Sequence, residues 1–206
     1  MLVTVWRSRI CTANLMTNTG AIRTRVNVFA QCKSTGRWLL GEHVLPADFR
    51  EFLRLLTDAG VEYLLIGGYA VAYHGYPRTT ADMDVWVAIS PENATRLVDV
   101  FRQFGMADPN VTPELFQQPG KIIRMGIPPM RIEVLTEIDG VCFAQCFDAR
   151  EVVTLDGQKV NLISLAHLRK NKKASGRHKD LDDLEHLPKR QTRPSLRTWR
   201  GALQRP

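Results

Sequence analysis

The chain has 206 residues, and its 44% hydrophobic and 24% charged residues exclude disorder throughout its length. No apolar run reaches the roughly 18 residues of a membrane span, so no membrane partner is expected, and four cysteines without zinc-ligand spacing indicate reduced thiols in a cytoplasmic protein. The net charge of +7 divides into +5 over residues 1–45, −4 over 46–187 and +6 over 188–206, so the basic character belongs to the two ends.

Residues 1–45 stand apart in composition. Up to residue 41 they contain arginine, serine and threonine but no acidic residue, a pattern typical of transit peptides. A disordered extension and a start site assigned too far upstream are equally compatible with this pattern. We therefore leave residues 1–45 outside the predicted fold.

Residues 46–187 are predicted to form one domain, whose first part alternates helix and strand. Apolar residues at helical spacing, short apolar runs and glycine or proline breaks define the boundaries. The predicted elements are a helix over 46–60, a strand over 61–66, a short helix over 69–73, a strand over 82–89 and a helix that Ser90 caps.

The second part of the domain is predicted to be richer in strands. The predicted elements are strands over 121–126 and 131–136, a hairpin of 152–155 and 159–163, and helices over 165–174 and from Asp180, as its cap, to Leu187. This order predicts an α/β or α+β fold, a mixed sheet with helices packed on it. Residues 188–206 form a basic C-terminal tail.

Gly67 and Gly68 are the first residues along the chain that indicate a ligand-binding site. They lie between a predicted strand and a predicted helix, where free backbone N–H groups can face a ligand. Glycine also lets a phosphate approach the backbone. A tight connection without any ligand needs the same residues, so the pair alone is a weak indication.

Asp82 and Asp84 strengthen that indication. Residues i and i+2 of a strand share a face, so both carboxylates project to one side while Met83 and Val85 face the core. Two like charges this close repel each other unless a cation neutralises them, and Mg²⁺ favours a few carboxylates together with substrate phosphates. The alternative is a solvated strand edge. Beside a glycine turn, the pair favours a metal–triphosphate site.

The segment 66–85 resembles the signature of the DNA polymerase β-like nucleotidyltransferase superfamily: a hydrophobic residue, a glycine pair, a spacer, then Asp-hydrophobic-Asp-hydrophobic. The chain is similar in particular to small stand-alone bacterial and archaeal nucleotidyltransferase-like proteins, related to minimal nucleotidyltransferases and abortive-infection toxins. Two further runs carry the similarity, HGYPRTT over 74–80 and a Lys…Gly-Arg-x-Lys-Asp-x-x-Asp pattern over 172–183. The resemblance spans about residues 46–187.

The resemblance implies an αβαβ core, Mg²⁺ or Mn²⁺ held by Asp82 and Asp84, and transfer of a nucleotide from an NTP. It also implies a third carboxylate from a later strand, for which Glu133 is the candidate catalytic and metal-binding residue. The usual residue there is aspartate, which is one methylene shorter, and this departure leaves full activity open. Glu133 could instead be a strand residue paired with Arg131 or Arg124.

Six residues are candidates for contact with the nucleotide. They are Gly67, Gly68, Arg78, Thr80, Lys172 and Arg177. A guanidinium suits phosphate oxygens, although Arg78 could also be a simple loop charge. Lys172 and Arg177 could reach the β- and γ-phosphates or could form ion pairs on a solvated surface. His74 is expected to structure its loop rather than to act as a base.

Three functions follow from these patterns. The first is Mg-dependent transfer of an NMP from an NTP to a protein hydroxyl, an RNA 3′ end or a small molecule. The second is a catalytically weak nucleotide-binding or regulatory module, for example a toxin–antitoxin component with a protein partner. The third is nucleic-acid binding through the basic ends, by release of counterions. The sequence names neither the nucleotide, nor the acceptor, nor the oligomeric state.

Overall fold

The computed structural model describes the backbone of residues 2–5 and residues 45–189, apart from residues 77, 79, 128 and 129. In this part of the chain, seven strands form one mixed sheet, and the predicted α/β class is confirmed. The strands are β1 (Leu2–Val5), β2 (Tyr63–Leu65), β3 (Asp82–Val87), β4 (Ile122–Ile127), β5 (Met130–Leu135), β6 (Glu151–Leu155) and β7 (Gln158–Leu162).

Helices connect and cover these strands. They are α1 (Ala47–Asp58), α2 (Gly67–Tyr73), α3 (Pro91–Gln103), α4 (Pro113–Phe116), α5 (Phe143–Asp148), α6 (Leu165–Ser175) and α7 (His178–His186). Among the described residues, no helix combines the length and the apolar composition that crossing a bilayer requires.

The strand order β1-β4-β5-β3-β2-β7-β6 places β3 at the centre of the sheet. β3 runs parallel to β5 on one side and antiparallel to β2 on the other. Met83 and Val85 are fully buried in the hydrophobic core. In the same core, the ring of Phe52 in α1 meets Phe101 of α3 and Phe104, which follows α3, with ring centroids 5.8 and 5.0 Å apart. The central strand therefore has a fixed register, which in turn fixes the direction of its acidic side chains.

Four helices differ from the prediction. α2 begins at Gly67, so the glycine pair belongs to the helix itself. The short helices α4 and α5 were not predicted, because four and six residues are too few to show a helical period. The prediction that Asp180 caps the last helix is wrong: α7 begins at His178, and its N-cap residue is Arg177. The Asp180 carboxylate is instead bound to the buried Lys172 and to the exposed Arg177. By contrast, the Ser90 cap is confirmed, since its hydroxyl accepts from the Asn93 N–H at 3.1 Å.

β1 adds an edge strand from the segment that the sequence leaves outside the fold. It pairs in parallel with β4, from Leu2 opposite Ile122 to Val5 opposite Met125. Residues 6–44 lie outside the described residues, as do residues 190–206. The predictions made for the two basic ends therefore stay predictions.

Candidate active site

Three carboxylates lie on one face of the central strands. Asp82 and Asp84 are both partly exposed on β3, while Met83 between them is fully buried. The parallel register places Asp84 directly opposite Glu133 of β5. The structure thus places on one face the three residues that the sequence analysis proposed as metal ligands, and their role as ligands stays a prediction.

Asp84 has the strongest electrostatic perturbation of the three. Burial, followed by the neighbouring charges of Glu133 and Asp82, raises its pKa to about 6. Lys172 and a hydrogen bond from the Gly68 backbone N–H act in the opposite direction without outweighing these effects. Carboxylates with a raised pKa concentrate at functional sites.

Two arginines, which the sequence analysis considered only as partners of Glu133, bind the other two carboxylates. Arg131 holds Asp82 with both ends of its guanidinium, Nε to Oδ1 at 3.1 Å and Nη2 to Oδ2 at 2.8 Å. Arg124 donates from Nε to Oε1 of Glu133 at 2.7 Å. The sequence reading in which Glu133 pairs with Arg124 is therefore observed. Arg131 could have been found from its i−2 spacing to Glu133, which places it on the same face.

Asp82 and Asp84 keep coordinating capacity for a divalent cation that arrives with a nucleotide. In the described part of the chain, no group of three or more His, Cys, Asp or Glu side chains is arranged to hold a metal ion on its own. One or two carboxylates together with substrate phosphates usually hold Mg²⁺. None of the ion pairs among the described residues includes Asp84, and each Asp82 oxygen keeps a lone pair beyond its bond to Arg131.

Gly67 and Gly68, which form a glycine corner at the start of α2, lie against Asp84. Gly67 has a positive φ of 63°, and a Cβ built on it would overlap the Asp84 carboxylate. A Cβ on Gly68 would come within 2.5 Å of the Thr80 hydroxyl oxygen. The predicted neighbourhood of glycines and acids is thus present. The Gly68 N–H, however, acts on Asp84, whose pKa it lowers.

Gly67→Ala is expected to destabilise the protein by roughly 2–5 kcal/mol, since a left-handed backbone and an overlap with Asp84 both have to be accommodated. Gly157→Ala is the matched control: Gly157 also has a positive φ, of 82°, but nothing lies within 4 Å of the added Cβ. Urea unfolding of both variants measures the difference. Equal losses would show that contact with Asp84 does not constrain residue 67.

A buried ion network joins the C-terminal helices to the loop before β3. Lys172 of α6 binds Asp180 at 2.5 Å and Asp183 at 2.9 Å. Asp183, which is fully buried, also accepts two bonds from Arg78 at 2.6 and 3.0 Å. Arg177 donates to Asp180 at 2.6 Å. Burial raises the pKa of each aspartate, but these donors outweigh it and both pKa values lie below normal.

Three of the predicted nucleotide contacts already have partners within the protein. Arg78 and Lys172 are engaged with aspartates, and the Thr80 hydroxyl donates to the Asp82 carbonyl at 3.2 Å. Arg177 differs from them, because its side chain is 76% exposed and only its Nε donates to Asp180. The hydrogen bond to Asp180 raises the Arg177 pKa, and the charge of Asp84 adds to this. Arg177 therefore lies near the acids with its guanidinium accessible.

His74 has a structural role, as expected. Its buried Nε2 donates to the Ile163 carbonyl oxygen at 2.8 Å, which connects the end of α2 to the end of β7. Burial lowers the pKa of this imidazole. A neutral ring with its proton on Nε2 satisfies that carbonyl and leaves no base directed at the acids.

A cleft of about 540 Å³ lies further along the same strands. Trp86, two residues after Asp84 and on the same face, lines it together with Phe143, Phe147 and Glu137. The rings of Trp86 and Phe143 meet edge to face at 5.0 Å. The sequence analysis missed this cleft because it did not predict α5.

Comparisons with known proteins give similarities of fold. No protein-family model matches the chain, and no curated protein matches it. A candidate nucleotidyltransferase from Thermotoga maritima is 18% identical, with a TM-score of 0.44 over 66% of this chain and 88% of that one. An antigenic nucleotidyltransferase-like protein from Paracoccidioides brasiliensis is also 18% identical, with a TM-score of 0.38 over 68% and 73% of the two chains.

Proposed function

We propose that this chain is a metal-dependent nucleotidyltransferase, which moves an NMP from an NTP to an acceptor hydroxyl. One observation carries the proposal: Asp84 is partly buried between Asp82 and Glu133, opposite a glycine corner, with its pKa raised to about 6. Arg131 and Arg124 compensate for two of these acids, and a bound cation would compensate for the third. A triphosphate with its divalent cation matches the charge and the shape of this place.

Each residue has a definite task in the proposed reaction. Asp82 and Asp84 would hold Mg²⁺ or Mn²⁺, which would neutralise charge on the phosphate oxygens. Gly67 leaves space for the Asp84 carboxylate, and the exposed Arg177 guanidinium would bind the terminal phosphates. The acceptor oxygen bonds to the α-phosphorus while the bond to pyrophosphate breaks. Glu133 would take the proton of the acceptor hydroxyl and pass it to water.

Labelling tests this function. The full chain is incubated with each α-labelled NTP and Mg²⁺ or Mn²⁺, alone and with cell lysate, and covalent label is sought on protein, RNA and small molecules. We expect transfer from at least one NTP. The double variant Asp82→Asn, Asp84→Asn should give only background. If the double variant transferred label as well as the unchanged protein, these acids would not be the catalytic residues.

A second function is favoured by the arginine pairs. Arg131 and Arg124 already neutralise two of the three carboxylates, and the third-strand acid is Glu133 rather than aspartate. A module that binds a nucleotide without turnover, such as a toxin–antitoxin component, would have these features. Calorimetry that shows Mg²⁺–ATP binding, with no label transfer in any lysate, would favour this module over the enzyme.

Nucleic-acid binding through the basic ends is a separate proposal. Its support is the excess of arginine in residues 1–45 and 188–206, and binding of this kind falls steeply with salt. Removal of both ends should abolish it. Binding that persists in a chain limited to residues 46–187 would contradict this account.

A further inference from the structure

Arg131 binds the Asp82 carboxylate, to which a metal cation would also bind. The β3–β5 register places it directly opposite Asp82, and its two bonds to that carboxylate are 2.8 and 3.1 Å long. Its side chain is 31% exposed and that of Asp82 is 30% exposed. The pair is therefore reachable from solvent, unlike the buried network around Asp183.

The net charge of the face that carries Asp82, Asp84 and Glu133 would differ between the ligand-free state and a metal-bound state. Asp82, Asp84 and Glu133 carry three negative charges when ionised, and Arg131 and Arg124 supply two positive charges. Among the described residues, no ion pair includes Asp84, so one negative charge remains at that carboxylate. A divalent cation would reverse the sign of the face, and Asp82 would then no longer need Arg131 for its charge balance. A polyanion at the same place would offer the guanidinium a new partner with the same forked geometry.

We propose that Arg131 is an exchangeable counter-ion and a further nucleotide-binding residue. Without a ligand it neutralises Asp82. When a metal-bound triphosphate arrives, the metal takes over Asp82 and the Arg131 guanidinium binds a phosphate. This inference rests on the proposed function, because it assumes that Asp82 and Asp84 hold a metal-bound nucleotide.

Arg131 suits this exchange better than Arg124. Arg124 donates to Glu133, whose side chain is only 12% exposed, so this pair is less open to a ligand. Arg131 binds the more accessible acid, and its forked contact can be transferred intact to two phosphate oxygens. The charge of Asp84 also acts on Arg131, which shows that the guanidinium lies close to the proposed metal position.

Arg131→Gln separates exchange from simple positioning of Asp82. Binding is measured by calorimetry with two probes: Mn²⁺ alone, and Mn²⁺ with NTP analogues that have a non-cleavable α–β bridge. We expect Mn²⁺ alone to bind up to roughly fivefold more tightly, since its competitor for Asp82 is gone. We expect the Mn²⁺–nucleotide to bind about tenfold more weakly, since a charged phosphate contact is lost. Opposite shifts are the signature of exchange.

Controls make both outcomes decisive. Arg102→Gln removes an exposed arginine that pairs with Asp99 on α3, and it should change neither constant. Arg131→Lys keeps the charge and should retain most of the nucleotide affinity. If Arg131→Gln weakened both probes, Arg131 would only position Asp82, and two unchanged constants would overturn the proposal as well. In either case, label transfer that still depends on Asp82 and Asp84 would leave the proposed function intact.

Discussion

Asp84→Asn is expected to raise the free energy of unfolding of the metal-free protein by about 2–3 kcal/mol at pH 8, and to reduce label transfer roughly a thousandfold. The stability gain follows from the pKa of Asp84, which folding raises from 3.8 to about 6. Above pH 6 the folded chain carries an ionised carboxylate that burial and two neighbouring acids disfavour. Asparagine keeps the shape and an oxygen for the Gly68 N–H but carries no charge.

The sign of the stability change follows from how the Asp84 contribution depends on pH. A folded pKa above the unfolded pKa means that the folded state binds the proton more tightly. The contribution of Asp84 to stability is therefore fully present below pH 3.8 and is lost as the pH rises to about 6. The gap between Asp84→Asn and the unchanged protein should be absent near pH 4, grow up to pH 6 and stay constant above it.

Urea unfolding between pH 4 and pH 8 measures this gap. Asp58→Asn is the control, since Asp58 is exposed and pairs with Arg54 one helical turn away. It should change stability by less than about 0.5 kcal/mol at every pH. If Asp84→Asn destabilised the protein at pH 8, Asp84 would be a structural residue rather than a strained ligand.

The loss of activity has a separate cause from the gain in stability. A bound metal stabilises developing charge by several kcal/mol, and about 4 kcal/mol corresponds to the expected thousandfold loss. A substitution that stabilises the fold while abolishing the reaction marks a residue kept for function. The two readouts together therefore test the site more sharply than either alone.

Local patterns predicted the central part of the site. The two-residue spacing of Asp82 and Asp84 was enough to predict their common face, and the buried Met83 between them bears this out. The glycine pair could be placed beside them, because one short helix and one loop separate it from the strand. Alternation along a strand and chain connectivity are local properties, so one sequence suffices to show them.

Contacts between distant segments could not be predicted in the same way. That Arg131 binds Asp82 depends on β5 lying parallel to β3, and nothing in either segment encodes that pairing alone. The bond from Arg78 to Asp183 joins residues 105 positions apart. A lysine or arginine near a proposed phosphate site looks the same in sequence whether it binds a phosphate or a buried aspartate.

Lys172→Met is expected to lower the free energy of unfolding by about 3–5 kcal/mol, the range for removing one partner of a buried ion pair. Lys172 is 5% exposed, and its Nζ contacts both Asp180 and Asp183, which are 2% and 0% exposed. Methionine has a similar length and fills the space, so the loss would come from the two carboxylates rather than from a cavity. Urea unfolding at pH 7 measures it.

Two companion variants separate a structural role from nucleotide binding. Arg54→Met removes an exposed partner of Asp58 and should cost less than about 0.5 kcal/mol. Adding Asp180→Asn to Lys172→Met should restore part of the stability, because one unpaired buried charge is removed with it. If Lys172→Met instead left stability unchanged and only weakened nucleotide binding, Lys172 would be the phosphate ligand that its sequence run suggests. The ion pairs of Lys172 with Asp180 and Asp183 would then belong to the ligand-free state, and nucleotide binding would break them.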